Sequence, residues 1–76
     1  MRFERIAVDS AVMGGVPCIR GTRIPVTTVV RLLAEGLDTS AVLSDYPQLT
    51  EADVREALRF AAAALDRDPE TVPNTA

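Results

Sequence analysis

The sequence predicts one mainly α-helical domain in which three short helices follow a short β-hairpin. A chain of 76 residues has the length of a single domain. From residue 26 onward, apolar residues recur at helical spacing. Residues 3–25 instead combine β-type residues with three glycines and two prolines, which favours short extended segments joined by turns.

The β element is expected within residues 3–25. Phe3 to Val8 has the partial alternation of a strand, and the glycine pair at 14–15 indicates a turn. A second extended segment is expected from Cys18 to Ile24. Gly21 interrupts this segment, so we expect a bulge or a tight bend there.

Two helices are expected next, over residues 26–35 and 39–45. The apolar face of the first has i, i+3, i+4 and i+7 spacing and consists of Val26, Val29, Val30 and Leu33. Gly36 is placed to end this helix, because glycine reaches positive φ without steric cost. Asp38 is placed to cap the second helix, whose Val42 and Leu43 should point inward.

The third helix is expected over residues 51–66. Thr50 and Asp53 have the spacing of a capping box at its start. Its predicted buried stripe consists of Val54, Leu58, Ala61 and Leu65. Beyond it the chain becomes polar and contains two prolines, so residues 1–66 are predicted as the domain and 67–76 as a flexible tail.

The composition argues against an enzyme. Histidine is absent, which removes the commonest general base. The lone thiol, Cys18, cannot build a zinc site and is expected to be a small core residue. No phosphate-binding loop follows the glycine pair at 14–15. We therefore expect no catalytic residue, no metal and no cofactor.

The small size and the charge distribution predict partners. A domain of this size buries only about 60% of its unfolded surface, and no intrachain disulfide can form, so we expect a homodimer or a complex. Residues 1–31 carry a net charge of +3 and residues 32–76 one of −6, which gives −3 overall. This split favours two surfaces with two partners. The charged N-terminus and the lack of a long apolar run predict a cytoplasmic protein without membrane segments.

The three helices are spaced like a helix-turn-helix core, in which the third helix enters the DNA major groove. Thr50, Glu51, Arg55 and Arg59 would then be its DNA-contacting residues. However, Glu51 and Asp53 in the first turn would repel phosphates. Either the third helix is structural, or DNA contact falls to arginines of the hairpin. Those candidates are Arg2, Arg5, Arg20 and Arg23.

Four segments together form an unusual pattern. They read Gly-Gly-Val-Pro-Cys-Ile-Arg-Gly-Thr-Arg-Ile-Pro-Val (14–26), Leu-Leu-Ala-Glu-Gly-Leu (32–37), Asp-Tyr-Pro-Gln-Leu-Thr (45–50) and Asp-Val-Arg-Glu-Ala-Leu-Arg-Phe-Ala (53–61). In this order they resemble the domain-of-unknown-function 433 family. The resemblance implies a homeodomain-like fold with a short N-terminal β element. It also implies a VapB-type antitoxin, one half of a type II toxin–antitoxin pair whose toxin is a PIN-like ribonuclease.

An antitoxin of this type occupies its toxin and usually represses its own operon by binding operator DNA. The resulting candidate residues for toxin or DNA contact are Arg20, Thr22, Arg23, Arg31, Thr50, Arg55 and Arg59. The hairpin arginines have three possible partners: DNA, the acidic site of the toxin, and acids of the chain itself such as Asp45, Glu51 or Asp53. The alternative function is a dimeric protein-interaction module that never binds DNA.

Overall fold

Three α-helices follow a two-stranded antiparallel sheet in the computed structural model, which describes residues 3–11 and 13–66. The elements are β1 (Ile6–Ala7), β2 (Cys18–Ile19), α1 (Val26–Ala34), α2 (Thr39–Asp45) and α3 (Glu51–Asp66), with a 3₁₀ turn at Met13–Gly15 between the strands. The predicted mainly α fold class is therefore confirmed. The predicted tail, 67–76, lies outside the described residues.

The strands are shorter than the sequence predicted. Only Ile6–Ala7 and Cys18–Ile19 pair, with Ile6 opposite Ile19. The predicted second strand ends early because the chain folds back after Ile19, whose N–H donates to the Ile24 carbonyl at 2.9 Å. The predicted first strand begins late because Phe3 starts a turn that is closed by the Ile6 N–H. The sheet thus consists of two paired positions on each strand and is much shorter than the predicted hairpin.

Local capping interactions set the limits of α1 and α2, as the sequence predicted. Gly36 has a φ of +104° just beyond α1. Its N–H donates to Leu33 and that of Leu37 donates to Leu32, which together form a Schellman motif. At the start of α2, the Asp38 carboxylate accepts the Ala41 N–H at 2.9 Å.

The start of α3 also agrees with the sequence, but its predicted buried stripe is partly wrong. Val54 is buried, whereas Leu58 is 41% exposed and Leu65 is 64% exposed. Ala57 is fully buried in place of Leu58, and Phe60 packs against the core. The apolar arc of α3 is wider than its neighbours can cover, so one edge of it faces outward.

The core lies between the sheet, α1 and the first half of α3. Its members from all elements are Ile6, Ile19, Ile24, Val26, Val29, Val42, Leu49, Val54 and Ala57. Helix α1 packs mainly against α3. Phe3 also contacts Phe60 edge-on, with ring centroids 5.3 Å apart, which ties the start of the chain to α3. Of the part described, no helix is long and apolar enough to cross a membrane.

Candidate functional site

Residues 20–23, which we call the arginine turn, form the tip of a tight chain reversal between Ile19 and Ile24. The Ile19 carbonyl accepts both the N–H and the hydroxyl of Thr22, at 3.0 and 2.8 Å. The same hydroxyl accepts the Ile24 N–H at 3.0 Å. Gly21 has a φ of +81°, which a side chain would strain. The predicted bend is therefore present, and side-chain and main-chain bonds fix its shape.

Arg20 fastens the arginine turn to the start of the chain. Its Nε donates to the Glu4 carbonyl at 2.6 Å and a terminal nitrogen donates to the Ile6 carbonyl at 3.0 Å. Its own N–H donates to the Arg5 carbonyl at 2.7 Å. Pairing with acids of the same chain, one of the three alternatives, is not seen for Arg20 among the described residues, because its side chain bonds main-chain oxygens instead. Two nitrogens of its guanidinium are therefore bonded to the main chain of the same protein.

Arg23 is exposed, as Arg20 is, but its guanidinium is not bonded to the start of the chain. It makes no ion pair with another residue of the described chain. It stands beside a cleft of about 480 Å³ whose wall also contains Cys18, Asp9 and Thr22. The Asp9 carboxylate accepts the Ala11 N–H, so it is held within its own loop. The arginine turn thus presents one guanidinium from a rigid support at the edge of a cleft.

The candidate residues at the start of α3 and within it differ in whether their side chains already form hydrogen bonds or ion pairs within the chain. Thr50 is used as a cap: its hydroxyl accepts the Asp53 N–H at 3.2 Å, and its own N–H donates to the Asp53 carboxylate at 2.9 Å. Arg55 pairs with Glu51 one turn away. Arg59 is exposed and has no ion pair within the described residues. The acidic first turn is therefore partly neutralised by the helix itself.

Arg5 has a role that the sequence did not predict. Its guanidinium pairs with the buried Asp53 at 3.2 Å, and its N–H donates to the Glu56 carboxylate. A hairpin arginine does therefore bind an acid of the third helix, but that arginine is Arg5 and not Arg20 or Arg23. No local signal identified it, because the two residues lie 48 positions apart.

An apolar groove of about 510 Å³ runs between α1 and the second half of α3. Its walls are formed by Pro17, Val26, Thr27, Val30, Phe60, Ala61, Ala64 and Leu65, with Arg31 at its edge. Sequence reasoning assigned Leu65 to the core and so missed this surface. The available signal was that apolar residues on α3 covered more than one face.

The predicted site residues therefore lie on three elements: the arginine turn, α1 and α3. Among residues 3–11 and 13–66, no three acidic or thiol side chains are arranged to hold a metal ion. The described residues instead present exposed guanidinium groups and an apolar groove, which are suited to ionic and apolar contacts.

The fold and these surfaces define a small three-helix domain with a braced hairpin. Residues 6–61 match the family described as "Protein of unknown function (DUF433)". The chain therefore belongs to the DUF433 family. It is similar to the crystal structure of a DUF433 member protein from Anabaena variabilis ATCC 29413, with a TM-score of 0.71 and 34% sequence identity over 88% of this chain.

Two curated relatives are also similar. Uncharacterized protein y4eO of Sinorhizobium fredii (strain NBRC 101917 / NGR234) is 36% identical over 60 residues, which is 79% of this chain. An uncharacterized protein of Archaeoglobus fulgidus is 62% identical over 30 residues, 40% of this chain and 83% of its own length. This chain spans only 27% of y4eO and 62% of the Anabaena protein.

Proposed function

We propose that the protein is the antitoxin of a type II toxin–antitoxin pair and that it neutralises a PIN-like ribonuclease by direct contact. The observation that carries this proposal is the rigid presentation of Arg23 at the tip of the arginine turn. A nuclease that binds metal through carboxylates offers an acidic cleft. A guanidinium suits such a cleft, because its fork can bond a carboxylate with two nitrogens.

The preformed shape of the turn supports this role. Ordering a flexible arginine on binding costs side-chain and backbone entropy. In this turn the backbone is already fixed by Thr22 and by the anchoring of Arg20, so that less entropy remains to be lost. Arg20 cannot serve equally well, because its guanidinium would have to leave two carbonyl oxygens.

Arg23→Ala should weaken binding of the PIN-like ribonuclease encoded in the adjacent gene. Loss of one partner from a buried, hydrogen-bonded charge pair costs about 2 kcal/mol or more, which is roughly thirtyfold in affinity. Isothermal titration calorimetry with the purified ribonuclease measures this change, and restored RNA cleavage provides a second measurement.

The matched control is Arg55→Ala, which removes the same charge from an equally exposed position on α3. It should leave ribonuclease affinity within about fivefold of the unmodified protein, since a single surface charge contributes at most about 1 kcal/mol. If both variants lost the same affinity for the ribonuclease, the loss would reflect the overall charge of the protein. This result would contradict a specific role for Arg23. A gene neighbourhood without a PIN-like ribonuclease would contradict the proposal as a whole.

Operator binding is the second proposed function, and the arrangement of α2 and α3 favours it. The two helices are joined by residues 46–50, a short connection close to the turn of about 3–4 residues that joins the helices of a helix-turn-helix motif. Arg55 and Arg59 lie one turn apart on α3 and are both exposed. The ion pair between Arg55 and Glu51 opposes this role, because it would have to open for the guanidinium to meet a phosphate.

The protein should retard DNA from the region upstream of its own gene in a mobility-shift experiment at low salt. Replacing both Arg55 and Arg59 by alanine should weaken the shift by roughly tenfold or more, and added salt should abolish it. Arg23→Ala is the control and should shift the DNA normally. Absence of any shift would leave the other candidate, a protein-interaction module without DNA binding. Both proposed partners place the protein's action in the cytoplasm.

A further inference from the structure

An exposed apolar stripe runs along the second half of α3. Leu58 is 41% exposed and Leu65 is 64% exposed, and the exposed Ala62 lies between them. Their spacing of i, i+4 and i+7 places all three on one side of the helix. We call these three residues the α3 stripe. Two leucines on one open face of so small a domain form a surface that favours burial.

The α3 stripe is continuous with the groove between α1 and α3. Leu65 belongs to both, and Ala61 lines the groove directly beside the stripe. The apolar surface therefore extends from α3 across to Val26 and Val30 of α1. It is wider than a single helix face and offers room for a second helix.

We infer that a second copy of this chain covers this surface, with its α3 antiparallel to that of the first. In this arrangement a two-fold axis passes close to Ala61 and Ala62. Leu58 of each copy then packs against Leu65 of the other. The alanines at the crossing allow the helices to approach closely, because the distance between packed helices depends on the side chains at the contact.

The charges beside the α3 stripe favour a second copy and the antiparallel direction. Arg59 and Asp66 are both exposed, and neither forms an ion pair with another described residue. On a helix of 3.6 residues per turn they lie on the same flank of the stripe. Two antiparallel copies bring this flank of one copy against the same flank of the other, so that each Arg59 lies near Asp66 of the other copy. Parallel copies would place the two flanks on opposite sides of the pair and leave these charges apart. The surface is thus complementary to itself.

This inference deepens the proposed ribonuclease binding, on which it rests for its functional meaning, since a two-fold dimer carries two arginine turns. It does not depend on Arg23, which lies outside the α3 stripe.

The oligomeric state of the purified chain tests the inference. Sedimentation velocity over micromolar concentrations should show a dimer for the unmodified protein. Leu65→Glu should raise the dimer dissociation constant by more than roughly tenfold, because both apolar contacts between Leu65 and Leu58 then hold a buried charge. The matched control is Val8→Glu, which adds the same charge at an apolar position of equal exposure, 62%, on the hairpin loop. A monomeric unmodified protein, or an unaffected Leu65→Glu dimer, overturns the inference.

Cysteine cross-linking tests the direction of the helices. Cys18 is buried, so an introduced surface thiol can react selectively. Ala62→Cys lies near the axis and should form a disulfide with itself on mild oxidation. Glu51→Cys lies two turns before Leu58 on the same face and should not. Cross-linking of Glu51→Cys, with or without cross-linking of Ala62→Cys, would indicate parallel helices and overturn the inference.

The charge pair gives an independent measurement. Arg59→Asp and Asp66→Arg should each weaken the dimer, and the two changes together should restore it. Failure of the double variant to recover would contradict the proposed pairing of Arg59 with Asp66. In all these experiments Arg23→Ala should stay dimeric, so loss of ribonuclease binding and loss of the dimer remain separable.

Discussion

Ile19→Ala is expected to unfold much of the protein at room temperature. Ile19 is 1% exposed and lies opposite Ile6 in the sheet. Its carbonyl and N–H also close the arginine turn, through Thr22 and Ile24. Truncation of a buried isoleucine costs about 2–5 kcal/mol, and a core of this size rarely supplies more than about 3–5 kcal/mol. Urea unfolding followed by circular dichroism measures the loss.

Val8→Ala is the control, because Val8 is also a β-branched residue next to a strand but is 62% exposed. Its stability should change by no more than about 0.5 kcal/mol. A similar small effect for Ile19→Ala would mean that the sheet is not part of the folding unit and would contradict the packing described above.

Asp53→Ala is expected to destabilise the protein by about 1–3 kcal/mol. Asp53 is 8% exposed, and its carboxylate accepts the Thr50 N–H and binds Arg5. Its loss leaves the first turn of α3 uncapped on one side and removes the link between hairpin and helix. Asp53→Asn keeps an acceptor oxygen for Thr50, so it should lose less. Thermal unfolding of both variants gives the two values.

Glu51→Ala provides the matched comparison, because it removes an acid from the same helical turn. Glu51 is exposed and pairs only with the exposed Arg55 among the described residues. Such surface pairs contribute about 0–1 kcal/mol. If Glu51→Ala were as costly as Asp53→Ala, the effect would arise from the helix dipole alone and not from the buried bonds.

The helices could be predicted because the signals that limit them are local. Gly36 ends α1, Asp38 caps α2, and Thr50 with Asp53 starts α3, each through bonds that span at most five residues. Only the end of the first helix differs, at Ala34 instead of residue 35. The strands were less predictable, because their length depends on where distant segments meet.

The use of the arginines could not be predicted from spacing. The partners of Arg20 are carbonyl oxygens that come within reach only when Ile6 pairs with Ile19. Every arginine offers the same guanidinium, so the sequence alone could not distinguish Arg5 and Arg20, whose side chains are bonded within the fold, from Arg23, which has no ion pair among the described residues. The exposure of Leu58 and Leu65 was missed for a related reason. Periodicity identifies an apolar face but not how much of it is covered.

The bonds that join Arg5 to Asp53 and Glu56 connect parts of the chain that are 48 and 51 positions apart. Contacts so distant in sequence form late, after the intervening chain has been organised. During synthesis the first residues leave the ribosome long before the segment that holds them. The hairpin that carries Arg23 is therefore completed only once the last helix has been made, and an unfinished chain lacks the finished binding surface.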